Sequence, residues 1–170
     1  VAMSVFANLI DQDATIISLQ NAVAASKDES TKSQAMTHAW LFTGPPGSGR
    51  SNVALAFAAA LVCEKGGCGS CNNCKSALAG VHGDVEIVKT EGLSIKIDEI
   101  RELITRAAWA PSVGLYRVVV IEDADRLTES AANALLKAIE EPGEHTVWLL
   151  CAPTATDVLP TIRSRVRTLV

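Results

Sequence analysis

Trp40-Leu41-Phe42-Thr43-Gly44-Pro45-Pro46-Gly47-Ser48-Gly49-Arg50-Ser51, followed by the apolar run Val53 to Cys63, reads as strand, loop and helix in that order. The loop fits G-x-x-x-x-G-K-[ST], with Arg50 where lysine is expected. Its glycines, Gly44, Gly47 and Gly49, let backbone N–H groups curl around a phosphate, and the helix that follows adds the positive end of its dipole. Ser51 is placed to ligate Mg²⁺ through its hydroxyl. Arginine can pair with phosphate through its planar fork, but it is bulkier than lysine and lacks the compact ammonium charge. The residues therefore leave two readings open: a site that still takes ATP with Mg²⁺, and a relic that does not.

Working outward, short apolar runs alternate with helical patterns. Ser4 to Ser26 reads as an irregular start and then a helix, with Asp13 as its N-cap before Ile16, Ile17, Leu19 and Val23. Lys27 to Thr37 is a polar loop. Helices are predicted over Ser51 to Cys63, Cys71 to Leu78, Asp98 to Ala110 and Ser130 to Glu141. Strands are predicted at Trp40 to Phe42, Val85 to Val88, Val118 to Ile121 and Val147 to Cys151, with a fifth beginning at Val166. Strands separated by helices imply right-handed crossovers and a parallel, doubly wound sheet. The β-branched run Val118 to Ile121 suits a strand covered on both faces. It ends in Glu122-Asp123, which would lie at the carboxyl edge of the sheet beside the phosphate loop. A Mg²⁺-holding pair usually runs Asp then Glu, and here the order is reversed. That displaces each carboxylate by one methylene, and a solvated acidic turn competes with the catalytic reading.

Four of the five cysteines, Cys63, Cys68, Cys71 and Cys74, form C-x4-C-x2-C-x2-C. This spacing suits a closed tetrahedral thiolate site for structural zinc. Disulfides or free thiols are the competing readings, and neighbouring C-x2-C pairs are poor bridge partners in a reducing compartment. His82 reads as a loop histidine, and Cys151 as a core residue of the fourth strand.

Composition narrows the function classes. The 170 residues make one domain of ordinary size, and 48% apolar content is enough for a sizeable core. Fifteen basic against nineteen acidic residues give a net charge of −4. That argues against a domain that wraps nucleic acid or coats an anionic membrane, though not against a partner that handles DNA. The longest apolar run falls short of the roughly 18 residues of a membrane span, and no signal peptide is expected. A cytoplasmic protein is expected.

The motifs together carry a resemblance. His38-Ala39-Trp40-Leu41-Phe42-Thr43-Gly44, the phosphate loop and the cysteine cluster resemble the bacterial clamp-loader subunits of the AAA+ class. So does Ala131-Ala132-Asn133-Ala134-Leu135-Leu136-Lys137-Ala138-Ile139-Glu140-Glu141-Pro142. Thr161-Ile162-Arg163-Ser164-Arg165-Val166 resembles that family's S-R-C arginine-finger motif, with Val166 in place of the cysteine. Phe6 to Val23, with Asp11-Gln12-Asp13, is similar to the segment that lies near adenine.

The resemblance implies a three-layer α/β fold of the P-loop NTPase type (AAA+, RecA-like). Its sheet would have five parallel strands and an inserted zinc-binding loop over residues 63–80, with residues 1–170 forming one AAA+ domain. The family's lid and collar domains would lie outside this chain, which the resemblance marks as truncated. The implied partners are the tau/gamma and delta clamp-loader subunits, with the sliding clamp and primer–template DNA reached through the complex. Within the family, Arg50, Glu122-Asp123 and Ala152-Pro153 all depart from the hydrolysing tau/gamma pattern, the last standing where a sensor threonine is expected. Ser164-Arg165 is kept. That combination points to the delta-prime branch, with Arg165 acting in trans on a neighbour's ATP. An active ATPase with tolerated substitutions and a zinc-stabilised interaction domain are the alternatives.

Overall fold

Val118, Val119, Val120 and Ile121 have no polar face to offer water, and neither does the run Val147 to Ala152, so both must lie between two covering layers. The computed structural model describes residues 39–44, 50–63, 71–79, 82–88, 94–107, 116–140 and 146–169. The helix expected within Ser4 to Ser26, the end of the helix expected at Ala110, Gly47, Gly49 and Cys68 lie outside these residues.

The described strands are β1 (Ala39–Thr43), β2 (Val85–Val88), β3 (Arg117–Ile121), β4 (Thr146–Ala152) and β5 (Arg167–Leu169). They form one sheet in the order β2-β3-β4-β1-β5, with every neighbouring pair parallel. Both inner strands flanking the centre are covered, and all seven residues of β4 are buried.

Period-two alternation sorts the side chains between two cores. Trp40, Phe42, Val118, Val120, Val147, Leu149 and Cys151 face one side. There they meet α1 (Arg50–Val62) and α2 (Asn72–Leu78). Leu41, Val119, Ile121, Trp148 and Leu150 face the other. They meet α3 (Ile97–Ala107) and α4 (Glu129–Glu140), with the single turn α5 (Pro160–Arg163) at the margin.

α1 is apolar almost all round, which is the signature of a helix with no solvated face. Its alanines, Ala54, Ala56, Ala58, Ala59 and Ala60, are all buried and let the backbone approach closely. Phe57 fills the remaining gap, its ring edge-on to Trp40 at 5.1 Å and to Phe42 at 6.4 Å between centroids. α3 is the opposite case, a strongly amphipathic helix with Ile100 and Leu103 inside and Asp98, Glu99 and Glu102 outside. Arg106 fastens its last turn to β2, with Nε donating to Glu86 Oε1 at 2.8 Å. That hydrogen bond, more than the nearby charge, raises the Arg106 pKa against the desolvation that opposes it.

α4 is capped by Thr128, whose hydroxyl oxygen accepts from the Ala131 N–H at 3.1 Å. α5 follows the rule for proline at the first helical position, with Pro160 at its start. Nothing in the sequence reading singled it out as a helix, because four residues are too few for any periodicity.

Candidate functional site at the carboxyl edge of the sheet

The strand order brings the carboxyl ends of β1, β4 and β3 side by side. β4 lies between the other two, and its register sets the levels. Thr43 pairs with Ala152, Leu41 with Leu150, and Leu150 with Ile121. Glu122 and Asp123, which follow Ile121, therefore come level with the last residues of β1. The start of the phosphate loop is pinned directly to this edge. The Gly44 N–H is shared between the carbonyls of Ala152 and Pro153, each at 3.2 Å. Arg50 and Ser51 open α1 as the motif requires, and their side chains fall outside the described part.

The two carboxylates differ in setting. Glu122 is buried, and its backbone N–H donates to the Val88 carbonyl at 3.0 Å. Asp123 is half-buried, and its carbonyl accepts from the Arg126 N–H at 2.9 Å as the chain turns into a short 3-10 segment, Ala124–Arg126. Main-chain bonds at Ile95 hold that turn in place: its N–H donates to the Arg126 carbonyl at 2.8 Å, and its carbonyl accepts from Thr128 at 3.0 Å. The acidic pair is thus fixed at the sheet edge by backbone on both sides, in the inverted order read from the sequence.

A hydroxyl missed by the sequence reading follows β4. Thr154 lies just past Ala152-Pro153 and is exposed. Its hydroxyl donates to Asp157 Oδ2 at 2.9 Å, and its N–H donates to the same oxygen at 3.0 Å. The Asp157 carboxylate thereby closes the turn Ala155–Asp157. Thr154 is committed to that local cap. The three-residue spacing Thr154-x-x-Asp157 was the signal that could have found it.

The cysteine cluster sits at the far end of α1. Cys63, Cys71 and Cys74 place their sulfurs within 4.8 Å of one another, close enough to hold a metal ion. The Cys63 and Cys71 sulfurs are 3.7 Å apart. A tetrahedron of zinc–thiolate bonds near 2.3 Å has edges of about 3.8 Å, so the spacing fits. Cys71 also caps α2, its sulfur accepting from the Cys74 N–H at 3.4 Å. The run of α1 from Arg50 to Val62 places this cluster about 20 Å from the phosphate loop, at 1.5 Å per residue.

His82 is not part of the cluster. The Asp84 N–H donates to its Nδ1 at 2.9 Å, so Nε2 carries the hydrogen and donates to Asn73 Oδ1 at 3.0 Å. Both ring nitrogens are used to tie α2 to the entry of β2.

Arg165 lies on a different edge, in the turn between α5 and β5. Its side chain is 54% exposed, and its Nε donates to Glu140 Oε1 at 3.1 Å. Ser164 turns back on its own helix, its hydroxyl donating to the Thr161 carbonyl at 2.9 Å. Arg163 is half-buried, and its Nε meets no hydrogen-bond partner among the described residues.

The sequence model of the family described as DNA polymerase III, delta subunit, matches residues 19–170. The chain belongs to that family. It is 38% identical over 134 residues to the DNA polymerase III subunit delta' of Pseudomonas aeruginosa, covering 75% of this chain and 41% of that protein. It is 35% identical over 165 residues to the DNA polymerase III subunit gamma/tau of Mycobacterium tuberculosis, covering 94% of this chain and 27% of that one. Among solved structures, a DNA polymerase III gamma subunit-related protein from Thermotoga maritima superposes with a TM-score of 0.65 at 27% identity. The match covers 94% of this chain and 45% of that chain. The chain spans less than half the length of each of these proteins. The α/β arrangement with a parallel sheet is therefore the P-loop NTPase-like fold that the sequence implied. Among the described residues, no helix is long and apolar enough to cross a membrane.

Proposed function

We propose that this chain is the AAA+ domain of a clamp-loader subunit of the delta-prime branch, which does not hydrolyse ATP itself but supplies Arg165 to ATP bound on an adjacent tau/gamma subunit. The observation that carries the reading is the contrast between two edges. Three elements of the chain's own nucleotide site are altered, Arg50, Glu122-Asp123 and Ala152-Pro153, on an intact sheet. Arg165 meanwhile is exposed, with Nε bonded to Glu140. Relatives named delta' and gamma/tau both resemble the chain, which agrees with a common scaffold used in two ways.

In the mechanism, phosphoryl transfer on the neighbour spreads negative charge over the γ-phosphate oxygens. A guanidinium brought in trans stabilises that charge, an effect of about 10³–10⁵ in rate in well-studied nucleotide hydrolases. Gly44, Gly47, Gly49, Arg50, Ser51, Glu122 and Asp123 are then the remains of a nucleotide site. If ATP with Mg²⁺ enters it, the loop backbone and Ser51 would hold the phosphates and the ion without supplying turnover.

Cys63, Cys68, Cys71 and Cys74 would hold a structural zinc ion, which supplies folding energy and leaves no open position for a substrate water. Delta and tau/gamma subunits are the direct partners, the clamp and primed DNA are reached through the complex, and the assembly works in the cytoplasm. The test is ATP turnover by the purified full-length subunit with Mg²⁺. No turnover above background is expected. Turnover that Arg50→Ala abolishes would establish an active ATPase instead.

A further inference from the structure

We propose that Glu140 is a positioning residue for Arg165, holding the guanidinium so that its outer fork faces the neighbouring subunit; the inference rests on the reading of Arg165 given above. Glu140 is the last residue of α4, 25 positions before Arg165 in sequence, and its carboxylate accepts from Arg165 Nε at 3.1 Å. Bonding at Nε holds the inner edge of the guanidinium. The hydrogen bond to Glu140 uses Nε of a side chain that is 54% exposed, which leaves the two terminal groups as the ones to pair with phosphate oxygens.

Helix stability does not explain the carboxylate. An acidic group at a helix C-terminus faces the negative end of the dipole and is unfavourable there. The ion pair itself is exposed on both sides, 54% and 40%, a setting in which such pairs add little to stability. What the contact does accomplish is orientation. A long, flexible arginine placed in a turn has many rotamers, and a fixed Nε removes most of them before the partner arrives.

The experiment uses the reconstituted loader with full-length subunits, measuring clamp- and DNA-stimulated ATP turnover together with KM for ATP. Four forms are compared: Arg165→Ala, Glu140→Ala, Glu140→Gln and the double variant R165A/E140A. We expect Glu140→Ala to lower kcat about tenfold with KM within twofold, since a misplaced catalytic group costs rate rather than binding. Glu140→Gln should keep most of the activity, because its amide oxygen accepts the same Nε–H. The double variant should be no slower than Arg165→Ala, and the Glu140→Ala subunit should melt no lower than wild type. Glu140→Asp supplies the same comparison if the alanine variant does not assemble.

Loss of turnover in Arg165→Ala with wild-type turnover in Glu140→Ala would overturn the positioning role and leave the finger reading standing. Faster turnover in Glu140→Ala would overturn it too, by showing that the contact restrains Arg165. A double variant slower than Arg165→Ala would mean that Glu140 acts by another route. Wild-type turnover in Arg165→Ala would remove the finger reading and this inference together.

Discussion

The carboxyl edge of the sheet and the turn that carries Arg165 are built on the same two cores, yet they have fared differently. At the carboxyl edge the described backbone is held in place: Gly44 is pinned to β4 by 3.2 Å bonds, and Glu122 to β2 by a 3.0 Å bond. Only side chains have changed there, at Arg50, Glu122-Asp123 and Pro153. Around Arg165 the S-R pair is kept and has a partner in Glu140. Under the proposed function, the difference means that the scaffold is needed whole while its own catalytic chemistry is not, as expected of a domain that must place one cation against a neighbour.

Breaking the shared scaffold should abolish the distinction altogether. Trp148 is buried where β4 meets α3 and α4, and Trp148→Ala should cost about 3–5 kcal/mol in chemical denaturation. A loss below about 1 kcal/mol would show that this face is not a packed core. Metal removal should come next in size. Chelation, or Cys74→Ser, should lower the melting temperature by about 10 °C, since binding energy at a structural site is folding energy. An unchanged melting curve after verified metal loss would count against a structural ion.

Asp157→Ala removes both bonds to Thr154 and should destabilise the domain by about 1 kcal/mol, as the loss of a local cap does. The smallest effect sharpens the comparison most. Arg50→Lys, even combined with Glu122→Asp and Asp123→Glu, should give the isolated subunit no measurable turnover, because Pro153 still offers no hydroxyl. Turnover above background in that variant would mean that lysine and the acid order were the only deficits.

Much of the fold was legible because its signals are local. The β-branched run of β3, the apolar run of β4 and the all-apolar α1 each constrain their own segment, and Cys151 lies in the core where a fourth-strand residue should. What escaped was either too short or too distant. α5 is a single turn, below the length at which periodicity can speak. Thr154 follows Pro153, and its hydroxyl is bonded to a carboxylate three residues on, a local cap with no periodic signal. The Glu140–Arg165 pair joins residues 25 apart, and only the meeting of the α4 end with the turn after α5 brings them together. The cysteine spacing pointed to a metal site, and among the described residues three of the sulfurs lie close enough to hold an ion while His82 is committed elsewhere.

The central claim is that this chain acts on a neighbour's nucleotide through Arg165. It is tested most directly by clamp- and DNA-stimulated ATP turnover of a loader reconstituted with full-length wild-type or Arg165→Ala subunit, with assembly verified in both. The account predicts a fall of about 10³-fold at the site Arg165 serves, the scale of a finger supplied in trans. Turnover equal to wild type in a fully assembled complex would contradict it.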